Sequence, residues 1–153
     1  MLAVIRIKGE LNLPPEKRKT LELLRLFKTN HLVLEKETKQ ARSMLDKVQD
    51  LITFGEITEE MLASLVEKRG RLQGDKKIDA AFLKAQKLSS FKDLAKAIIS
   101  GEKKLEAFGI KPVFRLRAPR KGFERAGIKK SFTVGGAWGY RAQEINDLIK
   151  RMA

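Results

Sequence analysis

Apolar and basic residues alternate in AVIRIKG (3–9): Ala3, Ile5 and Ile7 share one side, Arg6 and Lys8 the other, and Val4 is out of step. A period of two predicts a strand with one buried face. Pro14 and Pro15 punctuate the loop that follows. In KRKTLELLRLFK (17–28) the period lengthens. Leu21, Leu24 and Phe27 or Lys28 recur one turn apart, which predicts a helix. HLVLE (31–35) reads as a short strand. Thr38 is placed to cap a second helix, whose stripe is Ala41, Met44, Leu45, Val48 and Leu51 or Ile52. LITFGEI (51–57) predicts a third strand, disrupted at Gly55. Thr58 then precedes Glu59 and Glu60, acids suited to a helix start, and Met61, Leu62, Leu65 and Val66 carry that helix to Gly70.

The first 57 residues thus read strand, helix, strand, helix, strand, an order that forms a small sheet covered by two helices. Strand direction stays open at this point. RGRLQGDKKID (69–79) reads as a connector. A helix is expected from Asp79 to about Lys87, and Ser90 caps another that carries Phe91, Leu94, Ala95 and Ile98 to Gly101. Two such short helices need a surface for their stripes, either the sheet or a partner. KPVFRLR (111–117) alternates again, with Phe114 and Leu116 on one side and Arg115 and Arg117 on the other. A last helix over 141–152 lines up Ala142, Ile145, Leu148, Ile149 and Met152.

Charge changes this picture most. The chain has 153 residues, 33 Lys and Arg against 19 Asp and Glu, and a formal net charge of +14. An excess of that size favours polyanionic partners, nucleic acid first and an acidic membrane surface second. It is also uneven: residues 111–153 hold eleven bases and three acids, more than half of the excess. The lack of cysteine excludes disulfides and thiolate metal sites. No stretch approaches the roughly 18 apolar residues of a spanning helix. MLAVIRIKGE has too short an apolar run for a secretory signal, so cytoplasmic residence is the default expectation.

The densest basic stretch is FRLRAPRKGFERAGIKK (114–130). The strand period sets the guanidinium groups of Arg115 and Arg117 side by side, and their planar donor forks suit phosphate. Pro119 restricts the next turn, Gly122 frees it, and Arg120 and Lys121 project near its tip. Phe123 either anchors this loop or stacks on an unpaired base. Arg125, Lys129 and Lys130 extend the patch; the plain alternative is a solvated charge run. In SFTVGGAWGYR (131–141), Gly135, Gly136 and Gly139 lie beside Trp138. Either the backbone N–H groups there meet phosphate or the segment is a tight turn packed by Trp138. Neither a Gly-Lys-Ser/Thr phosphate loop nor a dinucleotide glycine pattern occurs. Recognition helices, zinc fingers and basic heptads are likewise missing from the sequence, so a strand face with an ordered loop fits RNA shape better than a DNA groove.

The enzyme reading has little to stand on. His31 is the only histidine, beside the second strand, and reads as an edge or surface residue. Asp46 and Asp50 share a helix face with Arg42 and Lys47 nearby, ordinary surface pairing rather than a metal site. No nucleophile, base and orienting group assemble. Cofactors: none are implied.

The segments IRIKGE (5–10), TLELLRL (20–26), MLDKVQDLITFGEIT (44–58), LVEKRG (65–70), FRLRAPRKGFERAGIKKSF (114–132), GGAWGYR (135–141) and INDLIKRM (145–152), in this order, closely resemble the archaeal family of large-subunit ribosomal protein number thirty, counterpart of eukaryotic protein number seven. The resemblance implies an α+β, ferredoxin-like core with a small antiparallel sheet covered by two helices, a helical insertion and a basic C-terminal extension. It divides the chain into 1–58, 59–110 and 111–153. It implies a structural role on large-subunit ribosomal RNA near the 5S RNA region, beside neighbouring ribosomal proteins, without catalysis. Where the family's basic loop usually has two prolines, this chain has Arg117-Ala118-Pro119-Arg120, which loses one restraint and keeps the charge. On this account Arg115, Arg117, Arg120, Lys121, Arg125, Lys129 and Lys130 form the main RNA surface. Arg6, Lys8, Lys17, Arg18 and Lys19 form a secondary one, and Arg141 touches phosphate or braces the glycine turn. An assembly factor of the same fold, a DNA-coating protein and an enzyme on an acidic substrate are the competing readings.

Overall fold

A computed structural model describes residues 1–78, 82–83, 90–101 and 104–153. The helix expected over 79–87 lies outside the described residues except for Phe82 and Leu83, which are helical. The strands are β1 (Leu2–Arg6), β2 (His31–Glu35), β3 (Ile52–Glu56), β4 (Val113–Arg115) and β5 (Gly139–Tyr140). The helices are α1 (Pro15–Leu23), α2 (Lys39–Lys47), α3 (Glu59–Arg69), α4 (Phe91–Ile99) and α5 (Ile145–Met152). The strands form one sheet in the order β4-β2-β1-β3-β5.

The fold is the expected α+β, ferredoxin-like arrangement. β1 lies antiparallel between β2 and β3, with Val4 opposite Val33 and Phe54, and β4 adds antiparallel to β2. Two residues of β5 pair parallel with β3, which makes the whole sheet mixed. Leu2, Val4, Val33, Ile52 and Phe54 face Leu21 and Leu24 near α1 and Leu45 and Val48 near α2. Ala3, Ile5, Leu32 and Phe114 face the opposite layer, where α3 supplies Leu62, Leu65 and Val66, α4 Leu94 and Ile98, and α5 Ile145, Leu148 and Ile149.

This second layer corrects the reading of β1. The strand is buried on both faces rather than one, and Val4 is out of step because the even positions also point into a core. The helix expected over 17–28 stops at Leu23. Arg25 turns left-handed (φ 57°), its N–H donates to the Glu22 carbonyl and that of Leu26 to the Leu21 carbonyl. That is a Schellman closure with arginine in the usual glycine position. Leu26 is thereby buried, and Phe27, expected on the core stripe, is 52% exposed. Thr38, Thr58 and Ser90 cap α2, α3 and α4, accepting from the N–H groups of Ala41, Met61 and Asp93.

Gly55 does not disrupt β3. It pairs in register with Ala3, and a Cβ there would lie 2.0 Å from the Ala142 carbonyl oxygen. The glycine lets the turn before α5 sit directly on the sheet. The exposed Ala142 begins a 3₁₀ turn, Ala142–Glu144, rather than the α-helix expected from 141.

Candidate nucleic-acid interface

The basic loop leaves β4 and runs along the end of α5. Phe114 and Leu116 are buried while Arg115 and Arg117 are exposed, as the alternation predicts. The Arg117 N–H donates to the Met152 carbonyl and that of Arg120 to the Arg151 carbonyl, each at 3.1 Å. Pro119 is buried, and the Gly122 N–H closes a turn on the Pro119 carbonyl at 3.0 Å. Lys121 (φ 67°) and Gly122 (φ 73°) both adopt the left-handed conformation that brings the chain around. Phe123 packs against the hydrophobic core, so the anchoring alternative describes its position in the fold.

Glu124, the single acid of the stretch, fastens it. Its carboxylate accepts from Arg141 at 2.7 and 3.2 Å and from Arg151 at 3.1 Å. Arg151 also donates to the Gly122 carbonyl at 3.0 Å. Burial acts to raise the Glu124 carboxyl. It is outweighed by the Arg141 hydrogen bond, a backbone bond and the two guanidinium charges, which together hold the group below its ordinary value. The result is a pinned loop whose remaining cations face outward. Arg117, Arg120, Lys121, Arg125, Lys129 and Lys130 are exposed, and none forms an ion pair with a described residue.

Two arginines assigned to the surface lie in the core instead. Arg6 is 1% exposed. It sits on the Leu2–Val4 side of β1 and donates to the carbonyls of Leu26 at 2.7 Å, Phe27 at 2.9 Å and Lys8 at 2.9 Å, and to Glu10. Leu26 and Phe27 lie just past the turn that ends α1, so the guanidinium ties that turn to β1. Arg141 is 3% exposed. It donates to Thr53 Oγ1 and the Ala137 carbonyl, both at 2.7 Å, as well as to Glu124, and its guanidinium lies 4.5 Å from the Phe132 ring centroid. Of the two expectations for Arg141, bracing the turn is the one its geometry fits. Both guanidinium groups point inward, and Arg6 Nη2, which has no partner among the described residues, is itself buried, so neither arginine presents a donor to a surface phosphate.

The glycine segment is likewise a packing turn. The Gly135 N–H already donates to Phe132 and the Gly136 N–H to Ser131, at 3.0 and 2.8 Å. A Cβ on Gly136 would lie 2.0 Å from the Lys130 carbonyl oxygen. Gly139 (φ 98°) lies in β5, and the Lys8 ammonium stands 5.8 Å from the ring centroid of Trp138. Lys8 therefore borders the C-terminal turn. Lys17 is tied to Asp50 at 2.7 Å, and Arg18 and Lys19 are exposed on α1. Asp50 is thus paired rather than grouped with Asp46, and no three His or acid side chains are placed to hold a metal among the described residues. His31 stands opposite Arg115 between β2 and β4. Burial, then Arg115, Lys28 and Arg6, hold its imidazole below the ordinary value.

The structure also gathers cations that sequence reading missed. Arg69, Arg71, Lys111 and Arg115 line one cleft of about 250 Å³ with Asp75 and Val113. The first two lie in the presumed connector, some forty residues from the others; the RGR triplet was the available signal.

Among the described residues no helix is long and apolar enough to cross a membrane. The sequence profile described as "Ribosomal protein L30p/L7e" matches residues 2–52. The Large ribosomal subunit protein uL30 of Nanoarchaeum equitans is 44% identical over 151 residues, covering 99% of this chain and 97% of that protein. The protein of the same name from Methanococcus maripaludis is 43% identical over 150 residues, covering 98% and 97%. That of Thermofilum pendens is 44% identical over 151 residues, covering 97% and 96%. Similarity at this level along the whole length, on a fold whose basic loop is pinned and outward-facing, makes the chain a member of the archaeal uL30 family of large-subunit ribosomal proteins, homologous to eukaryotic L7e.

Proposed function

We propose that this chain is a structural constituent of the large ribosomal subunit that binds and stabilises folded large-subunit ribosomal RNA. The observation that carries the reading is the row of unpaired, exposed cations on a loop whose own backbone and single acid are bound to the core. Phosphate neutralisation needs charge held at fixed positions, and contacts of this kind place a protein on RNA without demanding a base sequence. Arg115, Arg117, Arg120, Lys121, Arg125, Lys129 and Lys130 carry the contact, with Lys8, Arg18 and Lys19 as a lesser surface. On this reading 1–58 are the ferredoxin-like core, 59–110 a helical extension and 111–153 the basic RNA-binding region that packs on the core. The sequence resemblance implies in addition a site near the 5S RNA region, beside other ribosomal proteins, in the cytoplasm.

The test joins binding to residence. Arg120→Gln with Lys121→Gln is expected to make the salt dependence of rRNA binding shallower by roughly 0.7–0.9 per lost phosphate contact. In salt-washed large subunits the wild-type protein is expected at near one copy per particle. An unchanged slope counts against direct phosphate contact by the loop, and complete loss on washing turns the reading towards an assembly factor.

A further inference from the structure

We propose that the cleft between β4 and the 71–77 hairpin is a second RNA-phosphate site, separate from the 118–130 loop, in which Asp75 keeps the place of a phosphate until RNA displaces it. This rests on the RNA-binding reading and extends it to residues the loop does not contain.

The cleft is built, not incidental. Arg71 bridges Lys77 and Leu72 bridges Ile110, and the Lys111 N–H donates to the Arg71 carbonyl at 2.8 Å. These bonds hold the hairpin beside the end of β4, the outermost strand of the sheet. Four cations and one carboxylate line the space. Arg69 and Arg71 form no ion pair with a described residue. Burial first, and then the guanidinium groups of Arg117 and Arg71, hold Arg69 below its ordinary value, so like charges crowd a partly buried cation here. An anion relieves that crowding, and three planar donor forks suit phosphate oxygens better than a point charge does.

Asp75 supplies a provisional anion. Its carboxylate accepts from Lys111 and lies 3.7 Å from Arg115. It is carried on a tip where Gly74 (φ 80°) and Asp75 (φ 59°) are both left-handed, and its side chain is 55% exposed. An exposed carboxylate held by ion pairs leaves at little cost, because water solvates it at once. Arg117 follows directly from β4 and connects the cleft with the 118–130 loop, so one RNA backbone can pass from one site to the other.

The experiment measures binding of the full chain to deproteinised large-subunit rRNA across a range of salt. It uses wild type, Arg69→Gln/Arg71→Gln, Arg120→Gln/Lys121→Gln and Asp75→Asn. The cleft double variant is expected to lower the slope by roughly 1.4–1.8, two contacts' worth. Asp75→Asn is expected to bind more tightly than wild type, because Lys111 and Arg115 then have no carboxylate to exchange. Asparagine tolerates the left-handed conformation, so this variant carries the test even if the arginine variant does not fold. A folded cleft variant with the wild-type slope, beside a loop variant that loses its own, overturns the cleft and leaves the RNA reading standing. Weaker binding by Asp75→Asn overturns the displacement. If wild type binds rRNA no better than duplex DNA at matched salt, the RNA reading fails and the cleft with it.

Discussion

A guanidinium group is a surface cation or a structural bolt depending on what surrounds it, and this chain uses both. Arg6 lies in a strand whose alternation suggests an outward side chain, yet its donors close the carbonyls of Leu26 and Phe27. Arg6→Met keeps much of the volume and removes the donors. It is expected to destabilise the fold by about 2–4 kcal/mol, since buried carbonyls lose their partners, while the salt slope of rRNA binding stays at the wild-type value. Urea unfolding and a salt titration on the same variant check both halves; a lower slope with unchanged stability would return Arg6 to the RNA surface. The buried Arg141, placed among Thr53, Ala137 and Glu124, has the same character. Six cations of the basic stretch have no such tie among the described residues, and charge counting alone does not separate the two groups.

At the scale of elements, caps and periods behave as local chemistry dictates. Thr38, Thr58 and Ser90 start their helices where short polar side chains precede apolar stripes. What local rules misjudge are the glycines. Gly55 reads as a strand breaker, but its lack of a side chain admits the Ala142 carbonyl against β3. Gly55→Ala is therefore expected to cost about 3 kcal/mol or more by overpacking, although alanine is no worse a strand former than glycine. Equilibrium unfolding measures this; a change under 0.5 kcal/mol, roughly the scale of an inconsequential surface substitution, would show that the turn moves aside freely. The end of α1 is a comparable case. A left-handed Arg25 ends the helix and redirects Leu26, and no glycine or proline announces the stop.

For the molecule as a whole, Glu124 joins segments far apart in the chain: the basic loop, the turn before α5 and α5 itself. Its carboxyl is held below the ordinary value of 4.5 in the fold. The unfolded chain then binds the proton more readily. The stability from this group is present in full above that ordinary value and is lost as pH falls through the lowered one. Thermal or urea stability measured from pH 7 to pH 3 is expected to drop in that acid window, and Glu124→Gln is expected to flatten the drop while lowering stability at pH 7. An acid limb unchanged by the substitution would mean that the loop is held by its backbone contacts alone. The wider design follows from the same geometry: the one acid of the 114–130 stretch is engaged by Arg141 and Arg151, so the exposed cations of that stretch keep their charge outward.

Hydrophobic periodicity, capping residues and the run of cations are local properties, and from them the sequence alone determined the succession of strands and helices, the basic character of the C-terminal third and the family resemblance. Strand direction, the parallel β5, the core on the Leu2 and Val4 side of β1, the burial of Arg6 and Arg141 and the cleft at Arg69 and Arg71 were decided by tertiary structure. Each depends on which groups the folded chain brings together from distant positions. A side chain's period records which way it points, while whether it meets water, a carbonyl or another guanidinium is set by the element packed opposite.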